Sequence, residues 1–508
     1  MLIIHPPLTK ACEPPASLAY LLAALKSQSH PCTICDMNVE ALHFLLKTAS
    51  PVGDTWSKRA FKNIDRNLDA LKSISTYNNI DRYKRSVSDL NRIVQLAGEK
   101  YNLQLSLANY QDNTLSPLKS DDLLYAATHF RNNIFFDYFS KRLEDLIEQS
   151  QTQYIGFSLN YLSQSLCTFS MIGFLRNRFP RKKIILGGGL VTTWLSKEGW
   201  CNPFASLVDH FIPGQGEVPL LQLLGVNHKW HPIKPDYTSL ATNTYLSPGF
   251  ILPYAASIGC FWKKCSFCPE TSENNPYHSI ASDTVVLELQ KLCKEMAPSL
   301  IHLLDNAISP ATLTALANHP PGKPWYGFAR IDSQLADPTF CKQLHSSGCL
   351  MLKLGLESGD QHVLDSMHKG IDLELATTVL HNLHQAGITT YVYLLFGTPS
   401  EDYNRAQKTL DFVTKNHRTI TFLNHAIFNL PAGSSEIAAL NVSDFYEGNL
   451  SIYRNFNHPL GWNRGKIRRY LDTTFKRSLE VARIIQRNPS FFTSNHAPFF
   501  QQTNNPLT

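Results

Sequence analysis

The run Gly259-Cys260-Phe261-Trp262-Lys263-Lys264-Cys265-Ser266-Phe267-Cys268 sets three cysteines within nine residues. Thiolates are soft ligands for zinc and for iron–sulfur clusters. Three of them on one short loop hold three irons of a four-iron cluster and leave the fourth open to a small molecule. An open coordination position is where chemistry happens. The alternative is structural zinc, which takes four ligands, usually as two knuckle pairs. No second C-x-x-C follows this loop, and His278, Cys293 and His302 are single residues in unrelated contexts. Lys263 and Lys264 give the loop a solvated, electropositive character that favours thiolate over packed thiol.

The other cysteines, Cys12, Cys32, Cys35, Cys167, Cys201, Cys293, Cys341 and Cys349, are scattered. In a reducing compartment such residues read as small buried hydrophobes. Cys32 and Cys35 form a C-x-x-C, but it falls in a strand-like stretch at 31–36 and not at a helix start, which argues against a thioredoxin-like role.

The elements that must carry the loop follow from hydrophobic pattern. A chain of 508 residues calls for two or three domains. With 43% apolar and 17% charged residues it has a soluble globular composition. Its net charge of +6 is spread without a long basic block, so nucleic acid is not expected as a partner. Leu2-Ile3-Ile4-His5 reads as a buried strand and not as a signal peptide. No uninterrupted apolar run reaches about 18 residues, so no membrane span is expected and a cytoplasmic location follows by default.

Residues 1–45 read as strand, Pro-rich loop, helix and strand. Further strands fall at 154–159 and 183–186, the latter followed by Gly187-Gly188-Gly189. This alternation indicates a Rossmann-like, doubly wound α/β sheet over residues 1–225, with ligands beyond the carboxyl ends of its strands. Residues from about 50 to 150 show helical periodicity without strand alternation and read as a helical insertion. A linker at 226–249 contains Pro232, Pro235 and Pro248. Over 250–435, strands at 250–258, 300–304, 325–328, 351–356, 389–395 and 420–427 alternate with helices. Six such units indicate a partial (β/α)6 barrel with its site at the C-terminal strand ends. The cysteine loop follows the first of these strands.

The loop resembles that of the radical S-adenosylmethionine (SAM) superfamily, and Gly355-Leu356-Glu357-Ser358-Gly359 is similar to the superfamily's G-x-E-S-G segment. The gap of four residues between Cys260 and Cys265 departs from the commonest C-x3-C-x2-C spacing and is similar to a subset with a longer, aromatic-rich gap. The resemblance implies a [4Fe-4S] cluster on Cys260, Cys265 and Cys268, with SAM on its open iron. An electron, from a donor such as flavodoxin or ferredoxin, then cleaves SAM to a 5′-deoxyadenosyl radical. It further implies SAM contacts from Phe267, Arg330, Glu357 and Ser358, with Arg330 at the active rim. Gly397-Thr398-Pro399 and Asn429-Leu430-Pro431 mark the ends of the last two strands. Asp305-Asn306 stands where a glycine-rich acidic motif often grips the SAM amine.

The first domain resembles the cobalamin-binding domain of one large branch of this superfamily. The Pro-rich loop, Ser158-Leu159, Gly187, Gly188, Gly189 and Gly214-Gln215-Gly216-Glu217 carry that resemblance and imply the cofactor contacts. The D-x-H-x-x-G motif that supplies an axial histidine is absent, and His5 reads as a scaffold residue. The segment 436–508 is rich in aromatics (Phe445, Tyr446, Tyr453, Phe456, Trp462, Phe491, Phe492, Phe499, Phe500) interleaved with Arg464, Lys466, Arg468, Arg469, Lys476 and Arg477. It is expected to pack on the barrel, not to bind RNA. The resulting expectation is cobalamin-dependent C-methylation of an unidentified small molecule, lipid or peptide. The alternatives are a non-methylating radical reaction or, from another class, a zinc-stabilised binding protein. No catalytic side chain can be named.

Overall fold

The computed structural model describes residues 1–51, 53–226, 231–444, 448–490 and 496–501. The expectations at Phe445, Tyr446, Phe491 and Phe492 lie outside the described residues. The chain divides into two compact units. One comprises the residues up to Phe250 with 448–452 and Ser490, and the other the rest from Ile251. Among the described residues no helix is long and apolar enough to cross a membrane.

The first unit is built on five parallel strands. They are β1 (Leu2–His5), β2 (Thr33–Asp36), β5 (Tyr154–Ser158), β6 (Lys183–Gly187) and β7 (His210–Ile212), in the order β2-β1-β5-β6-β7. Their apolar runs are covered on both faces, as buried parallel strands require. Leu2 pairs with Thr33 on one side and Ile155 on the other. Helices Ala16–Ser27, Met37–Thr48 and Leu162–Arg178 supply the covering layers. Asp36 ends β2 and caps the next helix by accepting from the Asn38 and Val39 amides.

The insertion corrects one expectation. Besides helices such as Ile80–Glu99 and Phe136–Ser150, it contains a hairpin of β3 (Leu103–Ser106) and β4 (Asn109–Asp112). Leu103, Leu105, Leu107 and Tyr110 point inward, and Gly98 lets the preceding helix lie directly on Leu105. Leucines mask such a hairpin in the sequence, because they suit a helix as well as a strand.

The described part of the expected linker is not free. The Asp236 amide donates to the Ala19 carbonyl, the Leu246 amide to Ala11, and the Tyr245 hydroxyl to Asp36 at 2.6 Å. Tyr237, Tyr245 and Leu246 are buried, so 231–249 belongs to the first unit's surface layer.

The second unit holds six parallel strands: β8 (Ile251–Tyr254), β11 (Leu300–Leu303), β12 (Trp325–Ala329), β13 (Cys349–Glu357), β14 (Thr389–Phe396) and β15 (Phe422–Ile427). They pair in the order β15-β14-β13-β12-β11-β8, so the barrel stays open between its first and last strands. The expected first strand is interrupted. After Tyr254 the chain peels away as β9 (Ser257–Ile258) and pairs antiparallel with β10 (His278–Ser279), closing the cysteine segment into a loop.

The barrel's lower interior is a layer of Ile251, Leu300, Tyr326, Met351, Tyr391 and Phe422, closed by Ala497 with Phe500 against it. Above it Lys353, only 2% exposed, sets its Nζ 3.1 Å from His302 Nε2 and 5.0 Å from the centres of the Tyr326 and Phe328 rings. A buried lysine inside this barrel was not foreseen. β16 (Leu430–Pro431), just past the last barrel strand, joins β17 (Val442–Asp444) and β18 (Tyr453–Phe456) of the C-terminal segment in a small antiparallel sheet. Trp462, Ile467 and Tyr470 face inward while Lys466, Arg468 and Arg469 are exposed. Residues 448–452 and Ser490, by contrast, group with the first unit.

Candidate active site

Two residues beyond β11 hold the base of the cysteine loop. Asp305 accepts from Ser257 Oγ at 2.5 Å and from the Ala256 amide at 3.1 Å, and Asn306 Nδ2 donates to the Gly259 carbonyl at 3.2 Å. Burial pushes the Asp305 carboxyl up to about 6, against the pull of these donors. Sequence reading reached this pair only as a missing SAM motif. Its signal was its position, immediately after a barrel strand. Gly259 has φ +75°, and a Cβ there would lie 2.4 Å from the Pro276 carbonyl oxygen, so only glycine lets the loop start here.

The loop's far side is locked to residues 366–370. The Ser266 amide donates to the Met367 carbonyl, and Trp262 Nε1 donates to the His368 carbonyl at 3.1 Å. Lys369 pairs with Glu357 at 2.8 Å and stands 5.4 Å from the centre of the Phe267 ring. Cys268 begins a short turn, its carbonyl accepting from the Thr271 and Ser272 amides.

The thiols correct one expectation. Burial raises both Cys265 and Cys268, the latter to about 11. The cations that oppose this at Cys265 are Lys369 and Arg330. Lys263 turns away to Asn274, and Lys264 sits over the Trp262 ring. Positive charge does reach Cys265, but from Arg330 beyond β12 and from Lys369 in the segment after β13, and not from the loop's own lysines.

The strand-end residues divide by direction. Arg330 follows β12 and donates to the carbonyls of Lys369 and Gly370, with its charge felt at Cys265. Glu357 ends β13 at φ +69° and folds back over Gly355, where a Cβ would meet its Oε1 at 2.6 Å. These two are thus brought together with the cysteine loop. Ser358 is not. Fully buried, it bonds Thr409 at 3.2 Å and accepts from the Asp360 amide at 3.1 Å. Gly359 lies against Phe412 and Thr409 on the same helix. Beyond β14 and β15 a cavity of about 350 Å³ is lined by Gly397, Phe428, Asn429, Arg454, His458 and Arg464.

In the first unit Ser158 Oγ meets Ser17 Oγ at 3.0 Å, and Asn160 bridges to Ser158 and to the Gly189 amide. Gly188 has φ +112°, and a Cβ would strike the Leu159 carbonyl oxygen at 2.4 Å, so it serves backbone packing. Gly189 differs: nothing lies nearer than 3.8 Å to its would-be Cβ, and nothing within 4 Å at Gly214. The buried Gln215 Nε2 and Glu217 Oε2 have no hydrogen-bond partner, and burial raises the Glu217 carboxyl. His5 is buried 3.4 Å from both Thr9 Oγ1 and Gln164 Nε2, as a scaffold residue would be.

Among the described residues no three His, Cys, Asp or Glu side chains gather closely enough to hold a single metal ion. A four-iron cluster takes its thiolates at separate irons, so they need not converge on a point. Cys260, Cys265 and Cys268 on one loop, with Arg330 and Lys369 offsetting thiolate charge, fit that group. The open strand ends at Gly189 and Gly214, beside unpartnered polar atoms, fit a bulky polar ligand.

No family model matches the chain. The fold is that of the cobalamin-dependent radical SAM enzymes. One solved relative is OxsB, described as a cobalamin-dependent S-adenosylmethionine radical enzyme with aqua-cobalamin and SAM bound. It is 12% identical with a TM-score of 0.51, covering 81% of this chain and 51% of its own. Another is the radical SAM methyltransferase TsrM from Kitasatospora setae, with tryptophan substrate and a SAM analogue bound. It is 13% identical with a TM-score of 0.54, covering 91% of this chain and 74% of its own. A second TsrM structure holds cobalamin and a [4Fe-4S] cluster. In sequence, 83 residues are 32% identical to bacteriochlorophyllide d C-12(1)-methyltransferase from Chlorobaculum tepidum. The match spans 18% of that curated relative's length and 16% of this chain.

Proposed function

We propose that this protein is a radical SAM enzyme that methylates an unactivated carbon of a small molecule with the help of cobalamin. The observation that carries the reading is the three-cysteine loop at the C-terminal end of the first barrel strand, locked by Asp305, Trp262 and the Glu357–Lys369 pair. Cys260, Cys265 and Cys268 would hold the [4Fe-4S] cluster, and the backbone about Ser158, Gly187–Gly189 and Gly214 would hold cobalamin. When bound, these groups supply one-electron cleavage of SAM and methyl donation, chemistry that belongs to the cofactors.

The chain's own residues position and shield. Asp305 and Asn306 fix the start of the loop, and Lys369 holds Glu357 and faces the Phe267 ring. The buried layer of Tyr326, Tyr391 and Phe422, with Tyr393 packed against it, would keep water out from below. The methyltransferase description of the TsrM relative and of the curated relative supports methylation over other radical reactions. Its reductant is read as a small electron carrier such as flavodoxin or ferredoxin, and its compartment as the cytoplasm.

The test is anaerobic reconstitution of the full chain with iron, sulfide and cobalamin, followed by analysis of the SAM products. Methylation yields S-adenosylhomocysteine together with 5′-deoxyadenosine. 5′-Deoxyadenosine alone points to a non-methylating radical enzyme. Zinc in place of iron overturns the reading.

A further inference from the structure

Resting on the cluster reading above, we propose that Arg330 is a positioning residue that sets the cluster's reduction potential through Cys265, and that Trp262 exists to hold it there. The geometry leaves the guanidinium little freedom. Its Cζ lies 4.0 Å from the centre of the Trp262 ring, its Nη2 donates to the Lys369 carbonyl at 2.6 Å, and the Gly370 carbonyl is 3.5 Å away. Lys264 Nζ is 4.8 Å from the same ring centre, so the indole has two cations about it. Trp262 in turn is fixed by its bond to the His368 carbonyl and by Gly370. At Gly370 φ is +64°, and a Cβ would sit 2.3 Å from Trp262 Cζ2. The four-residue gap between Cys260 and Cys265 is therefore not slack, because it carries the clamp.

The held guanidinium stands over Trp262, three residues before Cys265 on the cysteine loop, and its charge acts electrostatically on both Cys265 and Cys260. Hydrogen bonds and positive charge at cluster sulfurs favour the reduced, more negative state. Arg330 thus eases entry of one electron from an external reductant, with no bond made or broken in the protein. A guanidinium stacked and committed to two carbonyls is poorly placed to swing onto a SAM carboxylate.

The experiment is a redox titration of the anaerobically reconstituted full-length protein with dithionite and mediators, read by electron paramagnetic resonance. Arg330→Gln is expected to lower the reduced-to-oxidised ratio at fixed potential at least tenfold, which is about 59 mV for a one-electron couple. Arg330→Lys keeps the charge but not the planar stack. It should move the ratio the same way by less, and it decides the matter where Arg330→Gln fails to load iron. Lys264→Gln, on the loop's solvated side, should leave the ratio within twofold. An unmoved ratio in the Arg330 variants overturns the inference, as does an equal shift in Lys264→Gln. So does lost SAM affinity at unchanged potential, which would make Arg330 a SAM ligand. A wild-type protein that loads no iron overturns the functional reading and this inference with it. A loaded cluster indifferent to Arg330 overturns this inference alone.

Discussion

The Lys369 ammonium lies 2.8 Å from the Glu357 carboxylate, with the two side chains only 10% and 13% exposed. Removing one partner leaves the other charged and largely dehydrated beside the cysteine loop. Lys369→Met should therefore cost about 3 kcal/mol of unfolding free energy. The double variant Glu357→Gln, Lys369→Met should recover more than half of it. Urea denaturation of the four proteins of the cycle measures the coupling. Additive losses would mean that the pair is not coupled.

The three loop cysteines and the buried Cys349 on β13 should separate cleanly. Cys265→Ala is expected to lose cluster assembly, measured as iron and sulfide content after anaerobic reconstitution. Cys349→Ala should retain both, at a packing cost of about 1–2 kcal/mol. Full iron content in the Cys265 variant would remove the basis for the ligand assignment.

The two α/β sheets were legible because buried parallel strands and intervening helices have different periods, and each strand run found a partner near its expected place. What escaped was set by tertiary contact. The hairpin at Leu103 and Asn109 lay inside a helical context, and its leucines carry no strand preference. Asp305 was visible as an acid after a strand, but its partners Ser257 and Ala256 lie 48 and 49 residues earlier in the chain. The G-x-E-S-G segment was found as a unit, yet a bulge at Gly355–Glu357 turns Glu357 to the cysteine loop while Ser358 enters a helix interface. A linear motif does not carry that division.

Glu401 supplies a pH test. Its Oε2 accepts from the Gly397 amide at 2.5 Å and from Trp462 Nε1 at 3.1 Å, its Oε1 has no partner, and burial pushes its carboxyl up to about 8. The folded state therefore holds a proton that the unfolded chain releases near 4.5. The group's stabilisation is complete below that pH and is lost as pH rises through 8, by about 1.4 kcal/mol per pH unit within the window. Glu401→Gln keeps an acceptor for both donors and cannot ionise. Its stability, compared with wild type at pH 5.5 and 8, should lack this slope. Parallel curves for the two proteins would show that Glu401 is ionised in the fold.

Gly188 and Gly189 are adjacent but should respond in opposite ways. At Gly188 an added Cβ meets the Leu159 carbonyl oxygen at a backbone angle that side chains resist, so Gly188→Ala should destabilise the first unit by roughly 1–3 kcal/mol. At Gly189 the same atom enters open space above the strand ends, and the residue begins the helix Gly189–Leu195. Gly189→Phe should leave stability within about 1 kcal/mol while filling the volume a corrin would need. Cobalamin uptake, read from the visible absorption of the desalted protein, should fall at least tenfold in that variant. If Gly189→Phe retains wild-type cobalamin, the ligand does not bind over this strand end, and the glycine run is there for the turn alone.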